Sequence, residues 1–188
     1  MQFYKLGSDQ SGFNFLELMV SIAIVTILIG LAIPSFASLI FKNQVSVQTN
    51  ALFQSLYLAR SYAITTQKKV HVCHMDDPIS MTCSLDRDFN SNWSNGWLVF
   101  VDENNNNDFD EDDIFVNVKQ TDQRVNVVFN QRGRLRFFPD GSSRSAGFYI
   151  CDSEKQNYRH IFLLYSGRAR VNGQLSDLQK TRCDNAQS

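Results

Sequence analysis

The sequence predicts an α+β protein in which a long, kinked N-terminal helix packs on a globular domain of antiparallel β-sheet. An apolar run fills residues 13–41, and an apolar stripe with helical spacing extends it to about Thr66. From Lys69 onwards the pattern changes to short alternating segments separated by polar turns, which is typical of antiparallel strands. The chain has 188 residues, 43% of them hydrophobic and 20% charged, so we expect one globular domain with an appendage.

The first half of the helix is long enough to cross a bilayer. Between Phe13 and Phe41 only Asn14 and Glu17 are strongly polar, and at about 1.5 Å per residue this run covers roughly 30 Å or more. A secretory signal peptide places its small-residue cleavage site after the apolar run, whereas here the small residues 11–12 precede it. A cut there would leave the hydrophobic segment on the mature protein.

The second half of the helix is amphipathic. Gly30 and Pro34 separate the two halves, and Pro34 removes a helix hydrogen bond, so we expect a bend at that point. Beyond it, apolar residues recur in steps of three and four, which predicts one stripe that lies against a sheet. This stripe consists of Val45, Leu52, Leu56, Ala59 and Ala63.

The rest of the chain predicts seven strand segments. Polar turns separate them, and Asn95-Gly96 and Asp140-Gly141 carry clear turn signals. Together with the short strands and polar turns, a single N-terminal helix is expected. The segments read KVHVCHM, GWLVFVD, DIFVNVK, RVNVVFN, LRFFPDG, GFYICDS and HIFLLYSGRARV.

All four cysteines follow the apolar run. An even count in a translocated domain predicts two disulfides formed in an oxidising compartment. Three connectivities are open, and we favour Cys73–Cys83 with Cys151–Cys183 because each pair closes one sequence-local element. The two closures are expected to stabilise the fold by roughly 3 and 4 kcal/mol at most.

An acidic turn in the middle of the chain raises the question of calcium. Asp102, Asn104, Asn106 and Asp113 occupy positions one, three, five and twelve of an EF-hand-like loop. Asn107, however, stands where such a loop needs glycine for its sharp bend, and Asp113 replaces the longer glutamate. Strand patterns rather than helices flank the turn. A solvated Asn/Asp turn is therefore favoured over a calcium site.

The sequence predicts no enzyme, no cofactor and no metal site. A zinc site is one interpretation of the nearby histidines and cysteines, which are His71, Cys73, His74 and Cys83. Their spacing, however, matches no standard zinc pattern. On an alternating strand His71 and Cys73 share a face while His74 points away, and oxidised cysteines cannot bind zinc as thiolates. No serine, histidine and aspartate combination stands in a nucleophile-elbow context, and no glycine loop that could hold phosphate is present.

The formal net charge of −1 hides a segregation of charge along the chain. Residues 76–113 hold eleven acidic residues, whereas residues 119–188 hold twelve Lys and Arg against six acids. In the segment SGRARVNGQ, Arg168 and Arg170 follow Gly167 and share one face if the strand persists. The same Gly-Arg-x-Arg order occurs at residues 133–136, where the arginines form either a parallel basic stripe or the solvated face of a strand.

The segment GFNFLELMVSIAIVTILIGLAIPSF resembles the class III signal of type IV pilins and pseudopilins. This resemblance implies that a prepilin peptidase cuts after Gly12 and methylates the new N-terminus, Phe13. The glutamate that the family carries five residues into the mature chain corresponds to Glu17, and the proline that kinks its helix corresponds to Pro34. In a filament, Glu17 is then expected to pair with the α-amino group of Phe13 of a neighbouring subunit, which neutralises both charges in an apolar core.

The chain resembles, more narrowly, the GspH, FimT and FimU group of minor pilins. The segment WSNGWLVFVDENNNNDFDEDD looks like that group's Gly-Trp strand and acidic turn, and LRFFPDG and FYICD follow in the group's order. In the FimT family a Gly-Arg-x-Arg motif near the C-terminus contacts DNA during natural transformation. The resemblance carries this role to Gly167, Arg168 and Arg170. Lys180 and Arg182, which the Cys151–Cys183 bridge is expected to hold nearby, would widen the patch, and Arg134 and Arg136 are candidates for a second one.

The resemblance therefore implies the type IV pilin fold and a FimT-like minor pilin that captures DNA non-specifically and helps to prime pilus assembly. It divides the chain into a leader (1–12), a transmembrane or filament-core helix (13–40), an amphipathic helix half (41–66) and a β-rich domain (67–188). The implied partners are DNA, minor and major pilins, the prepilin peptidase and the inner membrane, with the domain in the periplasm and later on the pilus. A structural FimU-like subunit and a GspH-like pseudopilin of type II secretion remain open alternatives.

Overall fold

The computed structural model describes residues 14–77, 79, 82–84 and 88–185, with only the backbone at residues 31–35 and 37. It divides after Leu39 into two compact units. The second unit contains every strand of the described chain and its C-terminal helix. In chain order the elements are α1 (Phe15–Thr66), β1 (Lys69–His74), β2 (Ser91–Asn92), β3 (Trp97–Asp102), β4 (Ile114–Lys119), β5 (Val125–Phe129), β6 (Leu135–Phe137), β7 (Ala146–Asp152), β8 (Tyr158–Leu163), β9 (Ala169–Asn172) and α2 (Asp177–Asn185).

The helix α1 has 52 residues and includes Pro34. Glu17 lies in its first turn, where a carboxylate interacts favourably with the helix dipole. The helix ends where Gln67 adopts a φ of 55°, and the Gln67 side-chain amide donates to the carbonyl of Ile64. The last residue, Thr66, is the one that the periodicity predicts. In the described part of the chain, none of the helices combines the length and the apolar character that crossing a membrane requires.

The main core lies between the amphipathic part of α1 and the two sheets. All five residues of the predicted stripe are buried in it, which confirms the helical spacing. Trp93, Phe129 and Phe148 form an aromatic cluster with ring centroids 4.7–5.0 Å apart. The indole Nε1 of Trp97 donates to the hydroxyl of Ser55 at 2.9 Å, so a polar bond also links α1 to β3.

Both sheets are antiparallel, as the alternating segments predict. The first sheet has the strand order β4-β3-β1-β6 and the second has the order β2-β5-β7-β8-β9. β9 therefore lies at an open edge of the second sheet, paired on one side only, with Arg170 opposite Phe162 of β8. The predicted α+β fold, with a long N-terminal helix and antiparallel sheets, is confirmed.

Three details of the predicted element list are wrong, the first being that the two-residue strand β2 has no counterpart among the seven predicted segments. The N-terminal helix is not the single helix, because Asp177–Asn185 forms α2, most of whose residues are polar; its Leu178 is exposed and Cys183 is its buried residue. A helix without an apolar stripe gives no periodic signal in the sequence. The last predicted strand is in fact two strands, β8 and β9, which a turn at Tyr165–Gly167 separates.

The two disulfides are Cys73–Cys83 and Cys151–Cys183, which is the favoured connectivity. Their Cα atoms are 5.6 and 6.2 Å apart. The first bridge ties the end of β1 to the loop that follows it. The second bridge fixes α2 to β7, on the face of the second sheet opposite the main core, where Tyr149 and Leu175 complete a small cluster.

Candidate functional site

The turn between β8 and β9 is fixed by a glycine that has no room for a side chain. Gly167 adopts a φ of +74°, and its N–H donates to the carbonyl of Leu164 at 2.9 Å. A Cβ atom on Gly167 would lie 1.9 Å from the carbonyl oxygen of Gly141. Only glycine therefore permits this turn to pack against the turn that follows β6.

At the carbonyl of Gly141, the helix α1, the turn after β6 and the turn before β9 are in contact. Arg60 of α1 donates from Nε to this oxygen at 3.1 Å, while Gly167 packs directly against it. The N–H of Ser143 donates to the carbonyl of Tyr165 at 2.9 Å, which bonds the two turns a second time. We call this contact the glycine joint (Arg60, Gly141 and Gly167); it sets the position of the residues that follow Gly167.

A groove of about 320 Å³ opens beside the glycine joint. Its two walls are α1 and the start of β9, so it lies wholly within the second unit. We call it the arginine groove because three of its side chains are guanidinium groups. It is lined by Phe53, Tyr57, Arg60, Gly167, Arg168, Ala169 and Arg170.

Arg168 and Arg170 are the exposed cations of this groove. Ala169 between them packs against the main core, so alternation along the chain turns both arginines away from it. β9 begins at Ala169, and Arg168 thus stands one residue before the strand rather than within it. In the described part of the chain, neither arginine side chain has an ion-pair or hydrogen-bond partner. Both guanidinium groups are available to a ligand.

Lys180 and Arg182 lie on α2 and do not line the arginine groove. The ammonium of Lys180 pairs with Asp177 at 3.2 Å and sits 5.9 Å from the ring centre of Tyr158. Lys180 also borders a separate cavity of about 550 Å³, together with Tyr158 and Arg159. The disulfide does hold α2 against the second sheet, but the structure does not bring these two cations together with Arg168 and Arg170 in one groove.

The arginines of the second Gly-Arg-x-Arg segment form hydrogen bonds with other residues of the same chain. Arg134 donates to Asp108 Oδ1 at 2.6 Å and Arg136 donates to Asn107 Oδ1 at 2.7 Å, so both hold the acidic turn. The side chain of Arg134 is only 16% exposed. Arg144 in turn donates to the carbonyls of Arg132 and Arg134. These arginines form neither an open basic stripe nor the freely solvated face of a strand.

Two carboxylates of the acidic turn, Asp110 and Asp113, accept hydrogen bonds from groups within the turn itself. Asp110 accepts hydrogen bonds from the side-chain amides of Asn104 and Asn106, and Asp113 accepts the backbone N–H groups of Glu103 and Asp110. Burial raises the pKa of the Asp113 carboxyl. Within the described residues, no group of three or more His, Cys, Asp or Glu side chains is arranged to hold a metal ion.

Asp102, which would be the first ligand of a calcium loop, is instead buried beside His71. Its Oδ2 lies 3.2 Å from His71 Nε2, and the imidazole stacks on Phe100 with ring centroids 5.2 Å apart. His74 stacks on Trp93 in the main core, whereas Cys73 joins Phe100 in a separate cluster. His71 and Cys73 thus share one face of β1 and His74 takes the other, as the alternation predicts.

The buried imidazole of His71 makes stability depend on pH. Burial, followed by the positive charge of Arg136, lowers the pKa of His71 to about 4, below its ordinary 6.5. Between pH 6.5 and about 4, His71 is protonated in the unfolded chain but stays neutral in the folded protein, so lowering the pH favours unfolding. We expect the melting temperature to fall between pH 6.5 and about 4, with a loss of up to about 3 kcal/mol from this group.

A His71→Gln variant checks this pH dependence, because glutamine cannot titrate. Thermal unfolding followed by circular dichroism is measured for both proteins from neutral pH down to about pH 4. The difference in melting temperature between them should shrink as the pH falls. Parallel curves would show that His71 does not couple protonation to folding.

The N-terminal site residues are described only in part. Gly12 and Phe13, the predicted processing site, lie outside the described residues. Glu17 is exposed on α1, and its backbone carbonyl accepts the hydroxyl of Ser21 at 2.7 Å. Of Pro34 the structure gives the backbone, which is helical.

Sequence reasoning missed the α1 wall of the arginine groove. Phe53, Tyr57 and Arg60 are spaced by four and three residues, which is the spacing of one helix face. That face adjoins the buried stripe but carries an exposed tyrosine and a half-buried arginine. A second, mixed aromatic and basic stripe on an amphipathic helix was the signal available in the sequence.

Comparisons with known proteins show the family and the fold of this chain. The family model described as type II transport protein GspH matches residues 48–167. No curated protein matches the chain in sequence. The fold is similar to the type IV minor pilin FimU of Pseudomonas aeruginosa, with a TM-score of 0.51 and 15% identity over 69% of this chain and 89% of that one. It is also similar to the minor pseudopilin EpsH from the type 2 secretion system of Vibrio cholerae, with a TM-score of 0.50 and 11% identity over 69% of this chain and 97% of that one.

Proposed function

Since the chain belongs to the GspH family of pilin-like proteins, found among minor pilins and pseudopilins, we propose that it is a FimT-like minor pilin that binds DNA through Arg168 and Arg170. The observation that supports this most directly is the state of these two arginines. Both are exposed and lack a side-chain partner in the described chain, whereas Arg134 and Arg136 of the second motif are engaged with the acidic turn. Of the two Gly-Arg-x-Arg segments, the one at residues 167–170 therefore has arginines that are accessible to an external ligand.

The chemistry of such a site is phosphate neutralisation. A guanidinium that pairs with a phosphate forms charge-assisted hydrogen bonds and releases condensed counterions. Phosphate contacts carry no base information, so two arginines give weak binding to DNA of any sequence. Several copies of the subunit would raise the overall affinity through avidity. These properties suit the capture of extracellular DNA during natural transformation.

The double substitution Arg168→Gln and Arg170→Gln tests this function. We expect binding of the full-length protein, purified in detergent, to a labelled duplex to weaken at least tenfold at low salt. The dependence of log affinity on log salt should become shallower by nearly two, because each duplex phosphate contact contributes about −0.9. The melting temperature should stay unchanged, since both side chains are exposed.

A matched control removes two exposed cations elsewhere on the domain. Lys119→Gln combined with Arg124→Gln changes the net charge equally, and Arg124 is engaged with Asp122 rather than free. This control should retain binding and the full salt dependence. If the Arg168/Arg170 variant binds as tightly as the unaltered protein, the groove does not bind DNA, and the structural FimU-like or GspH-like role becomes the better explanation of the arginines.

We also propose that the subunit is processed and assembled as pilins are. The prepilin peptidase would cut after Gly12, and the protein would wait in the inner membrane with its domain in the periplasm before joining minor and major pilins. In the isolated chain the apolar side chains at the start of α1 are exposed, Phe15 by 74%, and so is Glu17. Packing among sister helices in a filament would cover the apolar surface and bring Glu17 to the amine of Phe13.

Glu17→Val is the test of that pairing. Processing should proceed, but incorporation into sheared pili, measured by immunoblot, should fall strongly, because removing half of a buried ion pair typically costs about 3–5 kcal/mol. Ser21→Val, one helical turn further on, makes an equivalent change without removing a charge and should leave incorporation intact. Normal incorporation of the Glu17 variant would refute the pairing.

A further inference from the structure

The arginine groove contains aromatic surface that phosphate binding does not explain. Tyr57 is 69% exposed on α1, four residues from Phe53, which lies half-buried in the same wall. The ring of Tyr57 therefore offers an uncovered aromatic face beside the cations of the groove, on which a flat ligand can stack. Arg60 stands three residues after Tyr57, so its guanidinium and the ring lie on the same side of the helix.

The size and the lining of the groove distinguish between duplex and single-stranded ligands. A duplex presents phosphates on a wide cylinder and keeps the faces of its bases stacked against one another. A groove of about 320 Å³ can accept one unstacked base with its sugar, but not a double helix. Positively charged grooves that carry exposed aromatic rings are the usual means by which proteins hold single strands.

We infer that the arginine groove binds single-stranded nucleic acid, with one base stacked on Tyr57 and the adjacent phosphates paired with Arg168 and Arg170. This inference rests on the proposed DNA binding by the same two arginines and adds the strand form that the site prefers. Arg60 contributes the third positive charge, while its Nε stays bonded to Gly141. Base stacking tolerates any base, so the site stays indifferent to sequence.

The experiment compares Tyr57→Ala with the unaltered full-length chain in detergent, using a fluorescein-labelled oligonucleotide as single strand and as duplex. Fluorescence polarisation should show single-strand binding weakened by roughly five- to tenfold, because the stacking of one base is lost, and duplex binding unchanged. Tyr57→Phe keeps the ring and should retain single-strand binding. Tyr62→Ala removes a tyrosine that is 38% exposed on the same helix but lies outside the groove, and it should have no effect.

Three results would overturn the inference, and they can be told apart. If Tyr57→Ala leaves single-strand binding unchanged, or weakens both DNA forms equally, the ring does not stack on a base, although the arginines still bind phosphate. If the unaltered protein binds neither form, the proposed DNA-binding function fails and this inference fails with it. Unchanged melting temperatures of the variants confirm that the exposed positions do not carry the fold.

Discussion

Replacing Gly167 with alanine is expected to destabilise the protein by about 3 kcal/mol and to weaken the proposed binding of DNA, although both arginines remain. The backbone at Gly167 has a φ of +74°, which costs an L-residue about 1–2 kcal/mol. The new Cβ would also stand 1.9 Å from the Gly141 oxygen, so the two turns must move apart. That movement displaces Arg168 and Arg170 from Arg60. Urea-induced unfolding and DNA titration measure the two effects.

Two other glycines separate conformational strain from the clash. Gly133 has a φ of +64° with no atom within 4 Å of its would-be Cβ, so Gly133→Ala should cost only the backbone term of about 1–2 kcal/mol. Gly173 also has open space around it and no positive φ, and Gly173→Ala should be close to neutral. If Gly167→Ala costs no more than Gly133→Ala, the glycine joint does not constrain the turn.

Removing the Cys151–Cys183 bridge, as a Cys151→Ala and Cys183→Ala double variant, is expected to cost about 4 kcal/mol and to release α2. α2 has nine residues, too few for a helix to be stable by itself in water, and Cys183 is its buried side chain. The hydroxyl of Tyr158, which donates to Asp184 at 3.2 Å, is one polar contact of α2 that the double variant keeps. Thermal unfolding should show the loss, and amide hydrogen exchange should show α2 unprotected while β7 stays protected.

The other disulfide supplies the control for this prediction. Cys73 and Cys83 are 10 residues apart, against 32 for Cys151 and Cys183, so their bridge restricts the unfolded chain less. Its removal should cost about 3 kcal/mol and leave the exchange of α2 unaltered. A larger loss for the shorter loop would show that strain or packing, rather than loop closure, governs both bridges.

The sequence was sufficient to predict those parts of the fold that repeat. Helical spacing from Val45 to Ala63 gave both the end of α1 at Thr66 and the face that it buries. Alternating segments predicted the long strands, although β3, β5 and β7 are buried along their whole length rather than on one face. Prediction failed at α2, where packing rests on one cysteine and there is no stripe to detect, and at β2, which is only two residues long. It also failed at the turn before β9, where one predicted segment holds two strands.

The candidate site was predictable only along one short segment, the turn and the start of β9. Gly167, Arg168 and Arg170 form a recognisable local motif, whereas the opposite wall comes from a helix more than a hundred residues earlier in the chain. Local spacing cannot reveal that Tyr57 and Arg60 face this motif, because tertiary packing makes the pair. For the same reason, identical motif letters at residues 133–136 gave no hint that Arg134 and Arg136 hold the acidic turn.

The contact at Gly141 has a consequence for how relatives of this protein should be recognised. Consider a homologue that carries Gly-Arg-x-Arg but lacks a glycine at the position of Gly141 or an arginine at the position of Arg60. Its two motif arginines would point in another direction. Gly133 illustrates this within a single molecule, since nothing packs against it and its arginines point elsewhere. A search for functional counterparts should therefore require Arg60, Gly141 and Gly167 to occur together rather than score the four-letter motif alone.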